Sequence, residues 1–148
     1  MTDYKILNEQ LKEITQGVPH RIANLANASA LLFYGLEKLN WAGFYLLDGN
    51  TLVLGPFQGK VACTLIPVGK GVCGTAVAEN RTIVVDNVHH FDGHIACDGN
   101  SLAEIVVPIR VDGKIVGVLD IDSPIENRFT ETDRQGLEQF AHIIETIW

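Results

Sequence analysis

The chain has 148 residues, enough for one domain with its own core, and 47% of them are hydrophobic, which excludes a disordered chain. Its formal net charge is −7 at pH 7, which argues against nucleic acid or an anionic membrane as partner, because both call for a basic stripe. No apolar run approaches the roughly 20 residues that span a bilayer, and no targeting segment precedes the first amphipathic pattern, so a soluble, cytosolic protein is expected.

Ile6, Leu7, Leu11 and Ile14 recur at helical spacing and predict a helix from about Tyr4 to Gln16. Gly17-Val-Pro19 breaks that pattern. A second helix is expected from about Pro19 to Leu39, with Ile22, Leu25, Ala26, Ala28 and Leu32 among its apolar positions. Ala42 to Leu47 reads as an aromatic strand, Asp48-Gly49-Asn50 as a hairpin turn, and Leu52 to Phe57 as the partner strand. Val61 to Ile66 reads as another short strand, stopped by Pro67.

Gly69-Lys-Gly-Val-Cys-Gly74 then opens a short helix through Ala78, and Thr82 to Val85 is a strand. Asp86 to Ser101 is polar, a long loop with room for a short helix. Leu102 to Val111 and Ile115 to Ile121 form a hairpin about Asp112-Gly113. Thr130 is an N-cap with Asp133 at the third position, a variant of the capping box. Leu137, Phe140, Ile143, Ile144 and Ile147 give the last helix an apolar face. The fold class is α+β: a central antiparallel sheet with helices packed mainly on one face, in a single domain spanning 1–148.

Three cysteines is an odd count, which in a reducing compartment points to redox or metal use rather than a static disulfide framework. The plainer alternative is three small buried hydrophobes. Cys97 stands out, because it lies in a polar segment between Gly93 and Gly99. Cys63 and Cys73 complete the set. His89, His90 and His94 lie near Cys97, but their spacing is not that of a zinc finger and no C-x-x-C pair is present. His89 and His90 read as solvated loop residues, whereas His94 could tune the thiol or border a pocket. Gly69, Gly71 and Gly74 match a dinucleotide fingerprint, yet the chain lacks the alternating βαβ units that the fingerprint requires. A tight turn into a short helix suits these glycines better.

The acids are more telling. Asp120 and Asp122 are two apart and so point to one face of a strand. Counting outward from the turn, position 121 is eight beyond Gly113 and position 104 is eight before Asp112, which sets Glu104 opposite Ile121 and near both aspartates. Three carboxylates at one end of a buried hairpin repel one another, so at least one should stay protonated at neutral pH. Trp41 and Tyr45 are four apart, share a strand face, and can wall a small pocket.

These segments together resemble the free methionine-(R)-sulfoxide reductases, single-domain enzymes of the GAF-domain family. The resemblance is carried by Asn40-Trp-Ala-Gly-Phe-Tyr45, Gly59-Lys-Val-Ala-Cys-Thr64, Gly69-Lys-Gly-Val-Cys-Gly-Thr75, Gly93-His-Ile-Ala-Cys-Asp98, Glu104-Ile-Val-Val-Pro108 and Gly117-Val-Leu-Asp-Ile-Asp-Ser-Pro124. It implies that Cys97 is the catalytic nucleophile, Cys63 the resolving cysteine, and Cys73 an auxiliary thiol able to pair with Cys63. It further implies that Glu104, Asp120 and Asp122 hold the sulfoxide oxygen and the amino group, and that Trp41 and Tyr45 line the pocket. Backbone groups around Ile95 and Ala96 would meet the carboxylate.

The implied chemistry reduces free methionine-R-sulfoxide through a Cys97 sulfenic acid and a disulfide with Cys63, which thioredoxin would reduce. No bound cofactor and no metal are expected. A thiolate must form beside three acids, and help is expected from His94, from backbone N–H groups or from the substrate's ammonium. A GAF-type homodimer is one arrangement open to the chain, with the N-terminal helices either forming its interface or covering the sheet. The alternative reading is a ligand- or redox-sensing GAF module without turnover.

Overall fold

The computed structural model describes residues 2–95 and 99–148. Four helices, α1 (Tyr4–Thr15), α2 (Arg21–Gly35), α3 (Gly71–Glu79) and α4 (Glu131–Thr146), accompany six strands. These are β1 (Trp41–Asp48), β2 (Thr51–Gly59), β3 (Leu65–Pro67), β4 (Ile83–Val85), β5 (Ala103–Val111) and β6 (Lys114–Ser123). They form one sheet in the order β3-β2-β1-β6-β5-β4, and every neighbouring pair is antiparallel. Among the described residues, no helix is long and apolar enough to cross a membrane.

Local chemistry explains the ends of the elements. Asp3 caps α1 by accepting from the Lys5 and Ile6 amides at 3.0 and 3.2 Å. Thr130 and Asp133 close a reciprocal capping box on α4, as their spacing predicts. The β5–β6 turn holds Asp112 and Gly113 both at positive φ, 53° and 76°, the conformation that makes a two-residue hairpin turn match the strand twist. Two expected elements come out shorter. α2 ends at Gly35, after which Leu36 is extended and Lys38 adopts a positive φ of 60°. The strand expected over Val61 to Ile66 is confined to Leu65–Pro67. Residues 60–64 are irregular because their carbonyls are taken up outside a strand pair, two of them by side chains of β1.

Period-2 alternation divides the sheet into two cores. Ala103, Ile105, Val107 and Ile109 of β5, with Leu119 and Ile121 of β6 and Ala42 and Phe44 of β1, face α1, α2 and α4. On the opposite face, Trp41, Tyr45, Val106 and Val118 pack with Val72, Cys73 and Ala76 of α3. Thus three helices cover one face and the short α3 part of the other. α2 lies on β1 and β2, α4 lies on β5, and α1 packs across α2 and α4.

The β5–β6 register departs from simple counting. Near the turn, Arg110 pairs with Ile115, but Ile109 pairs with Gly117, so Val116 is an extra residue on β6. Beyond this bulge every pair is displaced by one, and Glu104 lies opposite Asp122 rather than Ile121. Directly opposed residues share a face. The bulge therefore turns Glu104 to the same side as Asp120 and Asp122, whereas a bulge-free hairpin would have turned it toward the helices.

The seam between α1 and α4 is tight at one point. The Tyr4 hydroxyl donates to Asp133 Oδ1 at 2.6 Å, and its ring lies flat on Gly136. A Cβ at Gly136 would come within 2.1 Å of the ring's Cγ. Helix propensity alone would make Gly136→Ala stabilising by about 1 kcal/mol. The fixed ring reverses the sign, and a net loss of about 1–2 kcal/mol is expected from overpacking. A lower urea midpoint for Gly136→Ala, at unchanged slope, is the check.

Candidate active site

The site lies on the sheet face opposite α1, α2 and α4, where β1, β5 and β6 meet α3. Glu104 and Asp120 are buried, 7% and 5% exposed, and with Asp122 they line one pocket. Glu104 shares side-chain hydrogen bonds with Asp120 and with Asp122. Two carboxylates can share a hydrogen bond only if one carries a proton. That proton belongs to Glu104. Burial first, then the charges of Asp120 and Asp122, push its pKa well above the ordinary carboxylate range. Burial raises Asp120 too, while hydrogen bonds from Glu104 and Cys73 pull it back down. The cluster thus carries less than three negative charges. Asp120 Oδ1 is buried with no hydrogen-bond partner among the described residues.

β1 supplies the pocket's aromatic wall. Trp41 and Tyr45 are each 2% exposed and stack with centroids 5.9 Å apart, and Phe57 of β2 stacks on Trp41 at 5.1 Å. Their polar tips reach residues 60–64. Trp41 Nε1 donates to the Lys60 carbonyl at 3.2 Å, and the Tyr45 hydroxyl donates to the Cys63 carbonyl at 2.8 Å. Burial, then the nearby carboxylates, raise the Tyr45 pKa, so the phenol remains a donor. Gly59 sits under the indole at φ +136°, where a Cβ would come within 2.6 Å of Trp41 Cδ1.

The cysteines differ sharply. Cys63 is disulfide-bonded, whereas Cys73 is free and buried on α3. Cys73 hydrogen-bonds Asp120, and burial followed by the negative charge of the carboxylate cluster, Asp120 foremost, keeps it a thiol. Cys73 Sγ and one carboxylate oxygen each from Glu104 and Asp120 lie within 4.8 Å of one another, a spacing at which a metal ion could be shared. Cys97 and Ala96 lie outside the described residues.

Ile95 and His94 both border the pocket, as does the Gly71 turn that starts α3. The glycine-rich segment is indeed a tight turn. Gly69 and Gly71 have φ of +89° and +62°, and a Cβ on Gly74 would meet the Pro67 carbonyl at 2.5 Å. Burial and the proximity of His89 lower the His94 pKa, so its imidazole is neutral at pH 7 and supplies no positive charge. His89 and His90 are exposed, as expected, but stand in a short 3-10 turn over Val88–His90 rather than in open loop. Counting and spacing missed Ser101, which lines the pocket and accepts from Asn40 Nδ2 at 3.0 Å. A lone serine at the end of a polar loop carries no sequence signal.

Residues 7–148 match the family model of the GAF domain. Over 144 residues the chain is 55% identical to the free methionine-R-sulfoxide reductase of Escherichia coli, covering 97% of this chain and 87% of that protein. The chain belongs to the free methionine-R-sulfoxide reductase family of GAF domains. Its structure is similar to that of fRMsr of Staphylococcus aureus in complex with substrate, with a TM-score of 0.95 and 56% identity over 99% of this chain and 96% of that one. The free methionine-R-sulfoxide reductase of Neisseria meningitidis in complex with its substrate matches with a TM-score of 0.94 and 44% identity, over 97% and 87% of the two chains. The fold class read from the sequence agrees with this family.

The protonated cluster has a consequence for stability. The folded-state pKa of Glu104 lies above its ordinary value of 4.5. Its contribution is therefore fully present below about 4.5 and is lost as pH rises through the raised folded value. Glu104→Gln cannot ionise. As pH rises above about 5 the parent chain should lose stability relative to this variant, read as diverging urea midpoints. Parallel midpoints would place an ionised Glu104 in the fold.

Proposed function

We propose that the chain reduces free methionine-(R)-sulfoxide to methionine through a thiol cycle. The observation that carries this reading is the neutral, buried Glu104, hydrogen-bonded to two aspartates and facing the pocket walled by Trp41 and Tyr45. Sulfoxide sulfur becomes electrophilic once its oxygen accepts a strong hydrogen bond, and a neutral carboxylic acid supplies one. Asp120, with an unpaired buried oxygen, and Asp122 suit the substrate's ammonium group. The apolar side chain fits against Trp41 and Tyr45, and backbone around Ile95 and Ala96 meets the carboxylate. Family membership supports this reading, since the Neisseria meningitidis relative is described in complex with its substrate.

In the proposed cycle the Cys97 thiolate takes the sulfoxide oxygen. The sulfur–oxygen bond of the substrate breaks, a proton is taken up, and methionine and a Cys97 sulfenic acid result. The Cys63 thiol attacks that sulfenic acid, forming a disulfide and releasing water. A thioredoxin-type dithiol then reduces the disulfide and is itself oxidised. No bound cofactor enters the balance. Cys73, buried and held as a thiol, suits an auxiliary role better than that of first nucleophile. Because His94 is neutral, the help for the Cys97 thiolate falls to backbone N–H groups and the substrate's ammonium. The reducing cytosol is the compartment in which such a cycle runs.

Methionine release from the separated R and S epimers, with a dithiol reductant, tests the reading. Release from the R epimer alone is expected, and release from neither would leave a ligand-sensing module. Cys97→Ser should abolish release. Cys63→Ser should keep one turnover per chain and lose thioredoxin-driven recycling, which a single-turnover assay separates. Glu104→Gln should lower kcat/KM by about 10²- to 10⁴-fold, the usual worth of a positioned acid.

A further inference from the structure

Residues 60–64 carry Cys63, yet they belong to no helix or strand. Lys60 and Val61 before it are exposed, Val61 at 88%. An irregular, exposed segment does not by itself hold a thiol in a fixed place. Three hydrogen bonds reach its carbonyls. Trp41 Nε1 holds Lys60 at 3.2 Å, the Tyr45 hydroxyl holds Cys63 at 2.8 Å, and the Leu54 amide holds Thr64 at 2.9 Å. Two of the three come from side chains of β1, a rigid strand in the middle of the sheet. The one on Cys63 itself comes from Tyr45. That phenol is fixed in turn by stacking on Trp41, at an interplanar angle of 25°.

From this geometry we infer that Tyr45 is a positioning residue for Cys63, holding its carbonyl so that the thiol stands where the disulfide forms. The inference rests on the thiol cycle proposed above and adds to it a role distinct from lining the substrate pocket. The step concerned is the second one. The Cys63 thiol attacks the sulfenic sulfur, the sulfur–sulfur bond forms, the sulfur–oxygen bond breaks, and the oxygen leaves as water with the thiol proton. Its rate depends on how often Cys63 occupies the attacking position, and misplacement by about 1 Å can cost about 100-fold in such reactions. The hydrogen bond is present with Cys63 in a disulfide.

Tyr45→Phe removes one oxygen and keeps the stacked ring. The test is a single turnover of the full chain with methionine-R-sulfoxide, following methionine release and disulfide formation separately, with dimedone to trap the sulfenic acid. Disulfide formation slowed by about 10- to 100-fold relative to methionine release, and more dimedone adduct, are expected. Trp41→Phe, which removes the bond to Lys60, should slow disulfide formation by a smaller factor. Disulfide formation at the parent rate in Tyr45→Phe would overturn the inference. So would an equal slowing of methionine release, because it would place the hydroxyl on the substrate. Absence of methionine release from the parent chain would remove the reductase reading itself, and this inference with it.

Discussion

Three carboxylates on one buried face of a β-hairpin cannot all be charged. Most of the site's chemistry follows from that constraint. In water each would ionise near pH 4. In the pocket, desolvation and mutual repulsion keep a proton on Glu104, and hydrogen bonds to Asp120 and Asp122 give that proton a direction. The cluster is therefore both an acid and an anion: it can donate to an oxygen at one position and hold an ammonium at another. The same proton leaves the local charge smaller than the sequence suggests. Burial and the charge that remains on the cluster keep Cys73, pressed against Asp120, a thiol and so a poor nucleophile. The buried cluster thus sorts the donors of this pocket into distinct tasks.

β1 extends this order outward from the sheet. Its positions 41 and 45 present aromatic rings to the pocket, and the same rings end in groups that must find acceptors when buried. Those acceptors are the carbonyls of residues 60–64. A rigid strand thereby takes hold of the exposed, irregular segment that carries Cys63. The glycines at 43 and 59 belong to the same arrangement, because Phe57 and the Trp41 indole press against their backbones closely enough to leave no room for a Cβ.

Much of this was legible from residues alone. The helices were marked by spacing and caps, the hairpin by Asp112-Gly113, and the raised pKa of at least one acid by counting carboxylates on an apolar strand. The illegible parts have physical causes. A bulge leaves no residue signature at Val116, so the register slipped by one and Glu104 was set opposite the wrong partner. The run from Val61 to Ile66 has strand-like composition, but the hydrogen bonds that decide its conformation come from side chains 19 and 18 positions earlier in the chain. Ser101 reaches the pocket only because a long loop returns there. The state of His94 depends on burial and on a second histidine, neither of which a motif records.

The bulge at Val116 also bears on how such a chain can change over generations. Strand alternation makes the two faces of β5 and β6 a matter of parity, and the one surplus residue sets that parity between turn and site. Deleting Val116 would leave a well-formed hairpin with the same turn and nearly the same length. Yet it would rotate one strand's side chains against the other's, pitting acids against the helical core and isoleucines against the pocket. The hairpin's tip could then tolerate many substitutions but almost no change in residue count, and point mutation rather than insertion or deletion would be the open route for this part of the family.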